Sequence, residues 1–307
     1  MQSILASGPF RARTARKRAA ALLAAARPEI LDCGAGVRLL GYHSAQPDRP
    51  RGLVILLHGW EGSADSSYMI SAGARAFEAG FDVFRLNFRD HGETHGLNEE
   101  LFHSCRLDEV GRAVARVARL HPAPRVYLVG YSLGGNFALR IVANASRFGL
   151  DLRKVIAVCP VLHPHATMRA LENGLWIYRR YFLSRWRRSL AAKAAAFPHL
   201  YDFGDLRRFR TLTATTAFFV ERYTEFANLD AYLEGYSLTG PVLADLAVPA
   251  RLIAARDDPV IPHDDLAAIA RTDALEVTLL PRGGHCGFVE SFRLTSWVDE
   301  RLVAELA

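Results

Sequence analysis

Cysteine is scarce in this chain: four residues in 307, at Cys33, Cys105, Cys159 and Cys286, with no Cys-x-x-Cys pair. That scatter excludes a disulfide framework and a zinc cage as sources of stability and fits a reduced compartment. No apolar run approaches the roughly 20 residues that cross a bilayer. The N-terminus lacks the long apolar core of a secretory signal. It is rich in arginine and free of acid, a composition that on its own also fits a transit peptide. No internal repeat or low-complexity linker breaks the chain. Acidic residues are absent from two stretches. Residues 1–28 hold Arg11, Arg13, Arg16, Lys17, Arg18 and Arg27. Residues 176–193 hold Arg179, Arg180, Arg185, Arg187, Arg188 and Lys193. Either cluster can meet an anionic membrane surface or an acidic partner, and the simpler expectation for both is the solvated face of an amphipathic helix. Nothing calls for nucleic acid.

What is present is ordinary globular composition. Half the residues are hydrophobic and 23% charged, so a large core can form without staples. The most informative stretch is Val126-Tyr127-Leu128-Val129 followed by Gly130-Tyr131-Ser132-Leu133-Gly134. Four apolar residues without alternation suit a strand buried on both faces of a parallel sheet. The Gly-x-Ser-x-Gly then needs a sharp turn into a helix with the serine at its tip, where larger side chains two positions away would collide. The helix points its first amides at the serine, which suits a developing negative charge. By itself the motif is also compatible with a glycine-rich turn that happens to contain a serine.

Along the rest of the chain, residues 9–27 read as a helix. Glu29–Cys33 and Val37–His43 flank Gly34-Ala35-Gly36 as strand, turn and strand. Leu53–Leu57 is a buried strand, Met69–Ala79 a helix closed by Gly80, Phe81–Asn87 a strand, Leu107–Leu120 a helix, Leu133–Arg147 the helix after the serine and Val155–Cys159 another buried strand. This alternation implies βαβ units. It stops between residues 163 and 246, where helical patterns dominate. There Leu171, Leu175, Tyr178, Phe182, Trp186 and Leu190 form one apolar stripe. After Pro249 it resumes, with strands at Ala250–Ala255 and Val277–Leu280 and helices at Leu266–Ala270 and Phe292–Leu306. The expected fold class is α/β: a doubly wound, mostly parallel sheet built from residues 1–162 and 247–307, with a helical cap insertion over 163–246.

A nucleophilic serine needs a base, and the base an orienting acid. Both loops after the last two strands offer candidates in the order Ser, Asp, His. One is Arg256-Asp257-Asp258-Pro259-Val260-Ile261-Pro262, and the other Gly283-Gly284-His285-Cys286-Gly287-Phe288. Ser132, His285 and an aspartate are therefore the expected triad. Asp258, in an Asp-x-Val-Ile-Pro turn, is preferred, with Asp257 the alternative. An oxyanion hole needs two backbone donors. Leu133 supplies one and Trp60, in His58-Gly59-Trp60 after a buried strand, the other. His58, Gly59 and Tyr131 are expected to contact substrate.

With these residues the chain resembles the α/β-hydrolase superfamily and, more narrowly, the YheT-like hydrolases, whose relatives include eukaryotic lipid esterases and yeast ethanol acyltransferases. The resemblance is carried by His58-Gly59-Trp60-Glu61-Gly62-Ser63, Asn87-Phe88-Arg89, Gly130–Asn136, Asp257-Asp258-Pro259 and Gly283–Phe288, and Met1-Gln2-Ser3-Ile4-Leu5 looks like the segment that opens the family domain. It covers nearly the whole chain. It implies a cytoplasmic enzyme acting on a small-molecule ester, with no cofactor and no metal. Trp60 stands where the family usually has a smaller apolar residue. Arg89 is followed by Asp90-His91-Gly92-Glu93-Thr94-His95 instead of a glycine-rich turn.

The leading expectation is a serine hydrolase of carboxylic esters with apolar acyl chains, working through an acyl-enzyme. Acyl transfer to an alcohol or thiol would use the same residues, and a non-catalytic lipid-binding protein on this scaffold is the third reading. Dehalogenation is disfavoured, because it wants a carboxylate at the turn. His103 and Asp108 show the His-x-x-x-x-Asp spacing of acyltransferases, but Asp108 is better read as a cap for the helix starting near Glu109, and His103 as a loop residue. His163 and His165 lack a third ligand for a metal site.

Overall fold

The computed structural model describes residues 9–290 and 295–307; the expected opening segment Met1–Leu5 lies outside them. Its frame is set by β3 (Leu53–Leu57), whose five side chains are all fully buried. Leu53, Ile55 and Leu57 enter one core and Val54 and Leu56 the other, so a continuous apolar run serves two faces at a period of two. Around it lie β1 (Ala26–Asp32), β2 (Arg38–Ser44), β4 (Asp82–Leu86), β5 (Val126–Tyr131), β6 (Lys154–Val158), β7 (Ala250–Ala255) and β8 (Leu275–Leu280). They form one sheet in the order β1-β2-β4-β3-β5-β6-β7-β8. The first two pairings, β1 with β2 and β2 with β4, are antiparallel and the rest parallel.

Helices cover both faces. On one, α4 (Leu107–Leu120) places Val110, Val114 and Val117 in the core, and α5 (Leu133–Ala143) adds Phe137 and Ile141. On the other, α3 (Ser67–Glu78) and α11 (Trp297–Glu305) bring Met69, Ile70, Val298 and Leu302. The fold class is therefore the expected α/β sheet.

Several boundaries differ from expectation, three of them for a local reason. The helix expected over residues 9–27 is two, α1 (Pro9–Arg18) and α2 (Ala20–Ala25), and β1 begins at Ala26. Arg27 precedes Pro28, which disfavours helical geometry, and β1 is an edge strand where a missing amide is tolerated. The helix expected through Arg147 stops at Ala143, and a short α6 (Ala145–Phe148) follows. Between them the Asn144 side chain donates to the Arg140 carbonyl at 2.9 Å, competing with the helical ladder. The helix expected at Leu266–Ala270 is a 3₁₀ turn over His263–Ala267, entered from Pro262. Of the last helix, expected over Phe292–Leu306, the described part runs Trp297–Glu305, and Phe292 lies outside the described residues.

Between β6 and β7 the described elements are helical: α7 (Pro164–Asn173), α8 (Trp176–Ala196), α9 (Leu212–Tyr223), α10 (Leu229–Glu234) and two 3₁₀ turns. The expected single stripe is broken at Gly174. Leu171 is buried in α7, but Leu175 sits outside both helices at 60% exposure. Leu171, Leu183, Leu212 and Val220 join the main core, while Leu190, Phe203 and Phe219 meet Leu101 in a smaller cluster. Among the described residues no helix is long and apolar enough to cross a membrane.

Lys193 departs from the expected solvated face: its side chain is fully buried. Its Nζ donates to Asp90 Oδ1 at 2.8 Å and to the carbonyls of Asn98 and Glu100 at 2.5 and 3.0 Å. Three donors meet three acceptors, so α8 is tied to the loop after β4 by a satisfied buried ion pair. Removing one partner leaves the other charge buried without compensation. Lys193→Met should lower stability in urea unfolding by about 3–5 kcal/mol, and adding Asp90→Leu should recover much of the loss. A single mutant as stable as the parent would refute this anchoring.

Candidate active site

At the C-terminal end of β5 the chain reverses through Ser132, whose φ of 54° and ψ of −118° lie outside ordinary L-residue conformations. Its amide donates to the Val158 carbonyl at 2.8 Å, fixing the turn against the neighbouring strand. Glycine on either side is a steric necessity. A methyl group on Gly130 would lie 2.1 Å from the Gly134 carbonyl oxygen, and one on Gly134 would lie 2.4 Å from that of Leu57. The Leu133 amide opens α5, and first-turn amides have no carbonyl four residues back to accept them.

Two loops complete the polar array. His285 Nε2 lies 3.0 Å from Ser132 Oγ, and its Nδ1 lies 2.9 Å from Asp258 Oδ2. The other Asp258 oxygen accepts the amides of Val260 and Ile261 at 2.8 and 3.0 Å. Asp257 turns the other way. Its Oδ1 accepts the amides of Gly283 and Gly284, each at 2.7 Å, and so holds the loop that carries His285. Beneath the ring pack two thiols 127 positions apart: Cys159 Sγ reaches the Gly284 carbonyl and Cys286 Sγ the Val158 carbonyl, both at 3.8 Å.

Burial alone would lower the His285 pKa, but the Asp258 carboxylate outweighs it and carries the ring up to about 9. For Asp258, burial pushes upward; the His285 charge and hydrogen bond, with the two amides, bring the carboxyl below its ordinary value.

The loop 58–63 is held by two buried histidines. His58 Nε2 accepts the Phe88 amide at 3.1 Å, so its Nδ1 carries the proton that goes to the Gly59 carbonyl at 2.7 Å. His91 repeats the pattern: Nε2 accepts the Glu61 amide at 3.1 Å and Nδ1 faces the Arg89 carbonyl at 2.6 Å. Burial drives both rings toward the neutral form, His91 to about 4 and His58 well below its ordinary value. The Tyr68 hydroxyl accepts the Gly59 amide at 2.9 Å, and a methyl group on Gly59 would come within 3.1 Å of Ser132 Cβ. Trp60, next in sequence, thus reaches the serine from the strand β3 side.

A cavity of about 130 Å³ opens beside Ser132 and Leu133. Its walls are mainly apolar, with Leu171, Phe182, Trp186 and Phe219 facing Trp60. The Trp60 indole stacks on Phe182 at 5.3 Å and 12°, and Trp186 meets it edge-on. Glu61 adds a carboxyl that burial raises to about 7.

The structure brings Ser132, His285, Asp258, Trp60 and Leu133 together. It does not place His58, Gly59 or Tyr131 on the cavity wall. His58 spends both ring nitrogens on backbone, Gly59 packs behind the serine, and Tyr131 packs against Tyr68. All three take part in the packing and hydrogen bonding around the serine. Asp108 is not the cap of its helix: Arg106 precedes the first helical residue, and Asp108 pairs with Arg147 at 2.7 Å. His103 is more than a loop residue, being buried in the cavity wall, and burial lowers its ring to about 3. His163 and His165 approach different carboxylates, Asp265 at 3.8 Å and Asp230 at 3.3 Å. Sequence reasoning passed over Asp257 as a loop holder and over His91 and Tyr68. For His91 the available signal was its place just beyond β4, where the loop must turn back toward β3.

Comparison with known proteins places this geometry. The family model for the alpha/beta hydrolase fold matches residues 52–292. The chain is 26% identical over 266 residues to YheT of Escherichia coli (strain K12), named as an esterase, covering 83% of this chain and 75% of that protein. It is 24% identical to slr0264 of Synechocystis sp., also named as an esterase, covering 90% and 85%. Among solved structures, the Pyrococcus furiosus esterase Pf2001 matches 92% of this chain and 89% of its own at a TM-score of 0.61 and 14% identity, a likeness of fold alone.

The electrostatics yield a direct expectation. The imidazolium of His285 is stabilised by Asp258 against burial, so the ring should hold its proton at neutral pH and release it as pH rises through about 9. Asp258→Asn removes the larger of the two charges that raise the ring, Asp258 and Cys286, and leaves the burial, so the titration should move well down from about 9. Ring-carbon NMR across pH checks this; an unmoved titration in the mutant would show that Asp258 does not govern the ring.

Proposed function

This chain belongs to the α/β-hydrolase fold family, and from that premise we propose that it is a carboxylic ester hydrolase working by serine acyl transfer to water. The observation that carries this reading is the unbroken line Ser132 Oγ, His285 Nε2, His285 Nδ1, Asp258 Oδ2, with steps of 3.0 and 2.9 Å on either side of the ring. The names of YheT and slr0264 agree with it.

In this mechanism Ser132 Oγ attacks the ester carbonyl as the neutral His285 takes its proton. The amides of Leu133 and Trp60 receive the oxyanion, and the imidazolium, stabilised by Asp258, returns its proton to the departing alcohol. Water then enters, His285 takes a proton from it, and the acyl-enzyme is hydrolysed. Because His285 must be neutral to act, kcat/KM should rise as pH climbs toward the value set by Asp258.

Residues 163–246 are assigned as a cap over a core of residues 1–162 and 247–307. Support comes from the helices between β6 and β7 and from their side chains Leu171, Phe182, Trp186, Leu212, Phe219 and Val220 on the cavity wall. With such walls the acyl side of the substrate is apolar.

A fluorophosphonate probe should label Ser132 and fail on Ser132→Ala, with p-nitrophenyl ester turnover falling by about four orders of magnitude. Asp258→Asn should be nearly as damaging. Asp257→Asn should be mild, since an amide oxygen still accepts the Gly283 and Gly284 amides. A probe that labels another residue would remove Ser132 from its role, and the reverse ranking of the aspartates would move the acid.

The cavity wall gives a second test. Each methylene buried there is worth up to about 0.8 kcal/mol, or up to roughly fourfold in kcat/KM. Across p-nitrophenyl esters the value should climb over the first few carbons and then level where the cavity ends. A decline from acetate onward would show instead a site closed to longer acids.

A further inference from the structure

Helix α8 has two working faces. Phe182, Trp186 and Leu190 turn toward the cavity. On the opposite side Trp176, Arg180, Ser184 and Arg187 follow at helical spacing and line an outer groove of about 550 Å³. Leu183, Arg179, Arg207 and Arg210 complete the lining, so five arginines converge there, and none of the described residues lining it is acidic.

Two of the five are engaged. Arg179 lies 3.7 Å from the Glu172 carboxylate, and Arg187 donates to the Phe209 carbonyl. Arg180, Arg207 and Arg210 are exposed, and among the described residues no carboxylate pairs with them. The α8 N-terminus adds its partial positive charge at Trp176.

An independent feature lies at the same corner. Leu175, Trp176, Ile177 and Tyr181 are 60, 64, 41 and 46% exposed, within seven consecutive positions. Apolar side chains concentrated in this way mark a contact surface. A polyanion such as RNA would satisfy the arginines but leave Leu175 and Ile177 in water. A bilayer satisfies both, since guanidinium groups take lipid phosphates and the apolar residues enter the layer below.

We propose that the α7–α8 corner docks on an anionic membrane surface, with lipid phosphates in the groove of Arg179, Arg180, Arg187, Arg207 and Arg210 and with Leu175, Trp176 and Ile177 in the interfacial layer. This inference stands apart from the ester reading, because it uses no residue of the Ser132 site.

The experiment is co-sedimentation of the full chain carrying Ser132→Ala, which makes the outcome independent of hydrolysis. The vesicles are phosphatidylcholine alone and equal parts phosphatidylcholine and phosphatidylglycerol, each at low and high salt. The protein should partition onto the mixed vesicles at low salt, release at high salt and ignore the neutral ones. Each arginine neutralised should cost about fivefold, so Arg207→Gln with Arg210→Gln should weaken partitioning by more than about tenfold with thermal unfolding unchanged. Trp176→Ala should weaken it as well. Equal partitioning of parent and double variant, equal affinity for neutral and anionic vesicles, or no sedimentation at low salt would each overturn the proposal. So would salt-sensitive binding to a single-stranded RNA without binding to vesicles.

Discussion

Around Ser132 two backbone approaches are closer than any side chain allows and a third is tight. Gly130 lies against the Gly134 carbonyl, Gly134 against the end of β3, and Gly59 against Ser132 itself. This close crossing holds the serine at positive φ, a conformation costing about 1–3 kcal/mol that persists only because its surroundings over-determine it. Here the surroundings are the central strands. The Ser132 amide is bonded to β6, and β5 sits between β3 and β6 in a sheet sealed on both faces. A rigid sheet therefore supplies the one atom whose position matters most, and the loops at the same end bring the rest to it.

Those loops are irregular, so their order has to come from polar contacts and not from a ladder. Each is fastened by a polar side chain that ends on backbone. His58 and His91 fasten the segment before Ser63, Asp258 folds its own turn, and Asp257 fastens the glycines before His285. Arg89 makes a two-pronged pair with the buried Glu109 carboxylate and also donates to the Glu100 carbonyl, which carries the frame outward to the loop that receives Lys193. Such groups are costly when unmatched and specific when matched, which is why positioning at this site falls to histidine, aspartate and arginine instead of aliphatic packing.

This division explains what could be read from the sequence. Strands β3, β5, β6 and β7 are apolar runs because both faces are buried, and a run bounded by glycine or proline is visible in one dimension. Ser132 and its glycines were legible because the steric demand is local. So was the order in which Asp258 and His285 follow. The preference for Asp258 over Asp257 came from its turn context, whereas the separate task of Asp257, holding Gly283 and Gly284, shows only once the loop's path is known. Lys193 looked like one more solvated cation, since Asp90 is 103 positions away and nothing near Lys193 announces it. His58 resembled a substrate ligand, and His91 was passed over, for the same reason: a neutral histidine bonded to distant amides carries no sequence mark. The break at Gly174 was masked by an apolar spacing that continued across it.

Helix α8 shows how one stretch can defeat periodicity and still be informative. Its apolar residues occupy both faces, so no single stripe describes it, and its arginines fall between them. A helix buried on one side needs apolar residues only there, and a solvated opposite side has no use for Trp176 and Ile177. The inner set is accounted for by Trp60, stacked on Phe182, and by the anchor at Lys193. Among the described residues, none of the core clusters takes up Trp176 or Ile177. In the helical stretch between β6 and β7, Phe182, Trp186 and Leu190 lie on the cavity wall beside Ser132. The other face lines the outer groove with Trp176, Arg180 and Arg187, so the same helix that walls the cavity also presents arginines and exposed apolar side chains to its surroundings.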